Sequence, residues 1–234
     1  MVEHRQILAP RETQRMPKLN LSVDEVLATT RAVRKRLDFD RPVEDGVLRE
    51  CLELALQAPT GSNAQGWQWV VITDPDKKKA MGDIYRRAFD IYETMDGINA
   101  ATYYKGPDEA RLAQHGRVMD SATYLADRMG EVPAMVIPCI AGKLDGGPNL
   151  MGASQYGSIL PGVWSFMLAA RERSLGTSWT SLHLMFEEEA AGVLGIPFAD
   201  FTQVALIAVG YTKGTDFKPA KRETLDTVLH WNGW

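Results

Sequence analysis

The run FTQVALIAVGY, residues 201–211, carries no charged side chain and nothing polar between Gln203 and Tyr211. Of the apolar runs in the chain it reads most convincingly as a buried β-strand. That constrains the whole fold, because a buried strand belongs to a sheet that other layers must cover. The chain offers further strands in WQWVVIT (67–73), closed by Asp74-Pro75, in AMVIPCIAG (134–142) and in TSWTS (177–181). Pro138 inside the second of these argues for an edge or a bulge.

Helical patterns lie between the strands. Ser22 followed by Glu25 has the spacing of a capping box. Pro42 opens a second helical pattern, with Val47, Leu48, Cys51, Leu52 and Ala55 at helical spacing, and Pro59 stops it. Residues from Lys77 to Arg128 read as mostly helical, interrupted at Gly97 and at Gly106-Pro107. A glycine-rich loop leads into the apolar helix SILPGVWSFMLAARERSLG, with Gly176 as its C′ residue. EEEAAGVLG reads as a short helix. Strands alternating with helices indicate a mixed α/β or α+β architecture. Residues 1–20 read as an N-terminal arm and residues 21–234 as a single domain, whose last 23 residues hold no long apolar run and read as an extended tail.

Composition excludes several classes of function. The net charge of −4 argues against a nucleic-acid surface, and no run approaches the roughly 18 apolar residues of a membrane span. The N-terminus lacks the apolar segment of a secretory leader. Cys51 and Cys139 sit in apolar runs and read as core thiols, so a reducing, cytoplasmic setting is expected. There is no G-x-G-x-x-G after a strand. GASQYGS lacks both the lysine of a phosphate-binding loop and the spacing of a nucleophile elbow. His4, His115, His183 and His230 are scattered, so no metal site is expected, and His183 with Glu187 reads as an incidental i,i+4 contact.

Against this acidic background RAVRKR (31–36) places four cations in six positions. Arg31 and Arg34, three apart, project to one side, and two converging guanidinium forks suit a phosphate. Taken alone, a solvated basic face accounts for the cluster as well. APTGSNAQGWQWV (58–70) adds Thr60, Gly61, Ser62 and Asn63, a short polar turn between a helix and a strand, where ligands are often held. An ordinary connection is the plainer reading of that turn by itself.

In this order and spacing, RAVRKR and APTGSNAQGW resemble the first two motifs of the FMN-dependent nitroreductase superfamily. SLGTSWTS and GYTKGTDFKPAKR are weaker likenesses, and the resemblance spans about residues 20–234. Ala32 and Gly66 depart from it, standing where the family often has Ser and Pro. The resemblance implies an α+β fold with a central mixed or antiparallel sheet flanked by helices, in an intertwined homodimer whose C-terminal extension wraps the partner. It implies FMN, with Arg31, Arg34, Arg222 and Lys221 on its phosphate. Ser181 would lie near the reactive edge of the ring, and Thr60, Gly61, Ser62 and Asn63 would approach from the other subunit. NAD(P)H would be a transient donor and a small aromatic molecule, nitroaromatic or quinone-like, the acceptor, in a ping-pong cycle. Reductive dehalogenation, flavin fragmentation and flavin binding without turnover remain alternatives. No acid–base residue is expected from the chain.

Acceptor choice would fall to aromatics between Lys77 and Tyr124, namely Tyr85, Tyr92, Tyr103 and Tyr104, with Phe89 nearby. Their spacing also suits core packing, although Tyr103-Tyr104 beside Gly106-Pro107 reads as an exposed lid. Trp67 and Trp164 read as packing residues. Arg86, Arg87 or Arg117 could meet a 2′-phosphate on the donor.

Overall fold

A computed structural model describes residues 18–144 and 148–234. The expected arm therefore lies almost wholly outside the described residues. In chain order the elements are α1 (Val23–Thr29), α2 (Asp45–Ala55), β1 (Trp67–Ile72), α3 (Pro75–Glu93), α4 (Glu109–Asp127), β2 (Ala134–Ala141), α5 (Asn149–Glu172), β3 (Leu175–Thr180), α6 (Glu187–Leu194), β4 (Phe201–Gln203) and β5 (Leu206–Tyr211). The sheet is antiparallel throughout, in the order β1-β2-β5-β3, with β4 continuing the line of β5 along β2.

The apolar runs are explained by cover on both faces. In β2, Ala134, Val136 and Ile140 join a cluster under α2 and α5, while Met135, Ile137 and Cys139 join a second cluster under α3, α4 and α6. In β5, Ile207, Val209 and Tyr211 face the first cluster and Leu206 and Ala208 the second. Successive side chains of a strand point to opposite faces, so a strand covered twice loses its polar alternation.

Helix starts follow local chemistry. Ser22 and Glu25 form the expected reciprocal capping box on α1. Asp74 accepts from the Lys77 N–H at the start of α3, and Pro75 occupies the first turn. Gly195 ends α6 in the left-handed conformation, at φ 70°.

Four local expectations need correction. Pro138 is not on an edge strand, because β2 is paired on both sides. It does lie opposite a bulge. Val136 pairs with Ile207 and Cys139 with Gln203, so three steps on β2 face four on its partner. Pro42 precedes α2 by three residues; Glu44 is the N-cap. The segment read as a glycine-rich loop is, from Asn149 onward, the first turns of α5. Gly176 does not end that helix. Ser174 takes the left-handed conformation there, at φ 61°, and Gly176 sits in β3.

Candidate functional site

The glycine at 176 positions the basic cluster. A Cβ there would lie 2.7 Å from Thr212 Cγ2 and 2.8 Å from Val33 Cβ, so only glycine admits both neighbours. The segment after α1 thereby lies against β3. Val33 donates to the Thr177 carbonyl at 2.8 Å, and Ala32 bridges Thr177 in parallel. Its neighbours Arg31 and Arg34 then project into a cleft of about 370 Å³ that Lys35, Arg36, Ser121 and Asp216–Lys218 also line. Five cationic side chains face one carboxylate in that lining.

The four cations of RAVRKR do not share one role. Arg36 is spent within the chain: it pairs with Asp216 at 2.6 Å, donates to the Lys213 carbonyl at 3.0 Å and lies 4.2 Å over the Phe217 ring. Arg31 donates to the Lys218 carbonyl at 2.9 Å and Arg34 to Ser121 Oγ at 3.1 Å. Neither has a carboxylate partner among the described residues. Burial lowers the pKa of the Arg34 guanidinium below its ordinary value. A half-buried guanidinium held without a counter-charge is costly, and an incoming anion removes that cost.

The strand β3 runs from this cleft toward Ser181. At about 3.3 Å per residue, Ser181 lies about 13 Å beyond Thr177. It is exposed, at the turn leaving β3, and its carbonyl accepts from the Leu184 N–H at 3.0 Å. The Tyr85 hydroxyl lies by Thr180 and Arg34, and burial raises its pKa to about 12. Tyr85 is thus floor rather than lid, packed on Phe89 with ring centres 6.3 Å apart.

Thr60, Gly61, Ser62 and Asn63 form an exposed turn on α5. Gly61 donates to Ser158 Oγ at 2.8 Å, and a Cβ on it would meet Ser154 Oγ at 3.0 Å, so this glycine serves helix packing. The strain falls on its neighbours, for Ser62, Asn63 and Gln65 have φ of 52°, 53° and 49°. Three non-glycine residues in that conformation within one exposed loop store energy that functional loops commonly hold. The turn is remote from the cleft of its own chain. Arg171, which reaches Thr29 and the tail, is 13 residues along α5 from Ser158, or about 20 Å.

The remaining expected residues separate clearly. The Tyr92 hydroxyl accepts from the Ala100 N–H at 2.6 Å and pins the segment between α3 and α4. Tyr104 is clamped, stacked on His115 with ring centres 5.7 Å apart, with Arg111 4.3 Å over its other side. Its ring also lies on Gly106, where a Cβ would be 2.5 Å from Tyr104 Cζ. Tyr103, 66% exposed, is the open aromatic. Lys221 and Arg222 are exposed and lie outside the cleft lining. Arg86 is taken by Asp90, Glu93 and Asp127, and Arg87 by both oxygens of Glu189. Arg117 has no ion pair among the described residues. Trp67 is buried and Trp164 is 39% exposed. His183 and Glu187 share no hydrogen bond; His183 is fully buried in the turn before α6.

Ser121 and Lys218 are cleft residues that sequence reasoning does not single out. Ser121 carries no motif, and Lys218 stands beside the more conspicuous Lys221-Arg222. No group of metal-binding side chains occurs among the described residues, and no helix there is long and apolar enough to cross a membrane.

A helix-flanked antiparallel sheet, with a cation-lined cleft beside β3 and a strained polar turn on α5, defines the class. The chain belongs to the nitroreductase family, whose model matches residues 27–211. It is 28% identical over 210 residues to an NADH dehydrogenase of Thermus thermophilus, covering 88% of this chain and 97% of that one. Its fold matches an FMN and NADPH-dependent nitroreductase, NfnB, from sphigopyxis sp. strain HMH, with a TM-score of 0.65 and 24% identity over 92% of this chain and all of that one. It also matches an iodotyrosine deiodinase crystallised with FMN and 3-iodo-L-tyrosine, at TM-score 0.66 and 18% identity over 90% and 98% of the two chains.

Proposed function

We propose that this member of the nitroreductase family is an FMN-dependent NAD(P)H oxidoreductase that reduces nitroaromatic or quinone-like acceptors and works as a homodimer. The observation that carries the reading is the Arg31–Arg34 pair. Both guanidiniums line one cleft beside Ser121, and neither is paired with a carboxylate among the described residues, in a chain whose net charge is negative. Two forks and a hydroxyl suit the three oxygens of a phosphate monoester.

When bound, FMN supplies hydride chemistry between donor and acceptor in alternate half-reactions, while the protein supplies position and electrostatics. Arg31 and Arg34 anchor the phosphate. β3 sets the distance from that anchor to Ser181, whose surrounding backbone faces the reactive edge of the ring. Buried Tyr85 closes the floor against water. Thr60–Asn63 would reach the cofactor of the partner subunit, since on their own chain about 20 Å of α5 separates Ser158, which holds Gly61, from Arg171, which holds the tail. Tyr103 is the residue placed to meet a flat acceptor.

Dimerisation is supported by apolar surface that one chain leaves bare. Leu150, Trp231 and Trp234 are 77%, 81% and 105% exposed, and Val23 75%. In this reading residues 21–234 form one domain, and the tail beyond Lys218 covers the partner, bringing Lys221 and Arg222 to the phosphate. Two buried thiols without a disulfide suit a reducing cytoplasm.

The test is a spectrum of the purified protein under anaerobic conditions. Flavin absorbance that bleaches on NADPH and returns on a nitroaromatic acceptor is expected. A flavin that never bleaches leaves a binder without turnover, and failure to take up FMN refutes the reading.

A further inference from the structure

The tail segment 212–218 is fastened to its own chain by contacts that leave its two lysine ammonium groups unused. The Lys213 N–H donates to the Arg36 carbonyl at 2.8 Å, and Arg36 Nε returns a bond to the Lys213 carbonyl at 3.0 Å. Arg171 donates to the Thr215 carbonyl at 3.0 Å. Phe217 receives two guanidiniums, Arg36 at 4.2 Å and Arg171 at 4.9 Å from its ring centre. Arg171 is only 6% exposed, so its contact is largely desolvated, where cation–π attraction is strongest.

This fastening has a consequence for the next residue. Arg31 holds the Lys218 carbonyl at 2.9 Å, and Lys218 lines the cleft with Arg31 and Arg34. Asp216, the one acidic residue there, is paired with Arg36 at 2.6 Å, and the Lys218 ammonium is the weakest of the influences on its carboxyl. Lys218 has no ion pair among the described residues.

We propose that Lys218 is a third cationic ligand of the anion held by Arg31 and Arg34, and that Phe217, held by Arg36 and Arg171, is the residue that positions it. The inference rests on the phosphate reading above. It differs from that reading in assigning a ligand from the same chain's tail, three residues before the Lys221-Arg222 pair. Arg36 thereby contributes to anion binding without touching the anion. It cancels Asp216 and holds Phe217.

The experiment compares dissociation constants for FMN and for riboflavin, which lacks the phosphate, by quenching of flavin fluorescence on the full chain. Lys218→Gln is expected to weaken FMN by about tenfold or more, the loss of one charge-assisted bond, and to leave riboflavin unchanged. Lys218→Arg should restore most of the loss. Phe217→Ala should reproduce it although the lysine is present, Phe217→Tyr should rescue it, and the Phe217→Ala, Lys218→Gln double variant should be no weaker than Lys218→Gln alone. Circular dichroism checks that each variant is folded. FMN binding by Lys218→Gln at the wild-type level overturns the proposal, as does equal weakening of riboflavin, which marks a structural role. An unsubstituted chain that does not prefer FMN over riboflavin refutes the phosphate reading itself, and this proposal with it.

Discussion

His183 makes a quantitative demand on stability. Its ring is fully buried, and neither nitrogen has a hydrogen-bond partner among the described residues; nor has Gln203 Oε1 beside it. Burial lowers its pKa from 6.5 to about 4. The folded value is depressed, so the unfolded chain takes up the proton first as pH falls. Stability is fully present above the unfolded pKa and is lost as pH falls from there toward the folded pKa. With values of 6.5 and about 4, the penalty is small at pH 7, about 2 kcal/mol at pH 5 and about 3 kcal/mol at pH 4. Replacing the ring by an apolar side chain of similar size, His183→Leu, removes both the proton site and two unpartnered polar atoms. Its cost at pH 7 should be small or negative. The assay is the urea midpoint and slope at fixed protein concentration, for both proteins, in steps from pH 7 to pH 4.5. The stability of the variant relative to the unsubstituted protein should rise by about 2 kcal/mol between pH 7 and pH 5. In a chain of this size that is about 4–8 °C in Tm. Carboxylates such as Asp216 and Glu189 also destabilise the protein below pH 5, but equally in both. Parallel curves across this window would refute the argument.

Three further outcomes follow from particular contacts. Gly176→Ala should cost about 1–3 kcal/mol through overpacking against Val33 and Thr212; because Val33 sits between Arg31 and Arg34, FMN affinity should fall with Tm, and unchanged affinity would detach the cradle from β3. Cys51 and Cys139 are buried, with pKa values raised to about 12 by desolvation, so neither should react with a thiol reagent at pH 8 unless the chain is unfolded. Tyr103→Ala should raise KM for a flat aromatic acceptor while leaving FMN affinity alone, whereas Gly106→Ala, which displaces the clamped Tyr104, should perturb the fold of the whole segment and register as lower Tm.

The fold was readable where local chemistry and burial agree. The runs at 134–141 and 206–211 are apolar on both faces because both faces are covered, and Ser22, Asp74 and Gly195 mark helix ends by their own side chains or backbone. Misreadings arose where a distant contact overrides a local signal. Gly176 looks like a helix stop because glycine favours that position, yet it is needed in β3 by Val33 and Thr212, and Ser174 accepts the left-handed conformation instead. Pro138 reads as the mark of an edge or a bulge; the edge is excluded by pairing on both sides, and the bulge lies on the partner strand at Val204-Ala205. The aromatics illustrate a third case. Tyr85, Tyr92, Tyr103 and Tyr104 share one region, but only their packing separates a floor, a pin, an open ring and a clamped one.

The basic cluster carries the more general point. The sequence shows four cations in six positions, which a solvated basic face explains as well as an anion does, and charge that binds is charge left over after the fold has used what it needs. Asp216, the counter-charge that removes Arg36 from the count, lies 180 residues away; the three-residue spacing singles out Arg31 and Arg34, but nothing within RAVRKR announces the pair that Arg36 makes. The same contact works in the opposite direction on Lys218. Arg36 engages Asp216 and that ammonium makes no ion pair among the described residues, so the cluster loses one cation to the tail and the tail gives one back. A substitution at Arg36 should therefore weaken anion binding through Asp216 and Phe217 rather than through its own charge. Neutralising Asp216 in the same chain, as Asp216→Asn, should recover the part of the loss that comes from the exposed carboxylate. FMN affinities of Arg36→Met with and without Asp216→Asn measure that part directly. If the second substitution recovers nothing, the freed carboxylate plays no part and the role given to Asp216 is wrong.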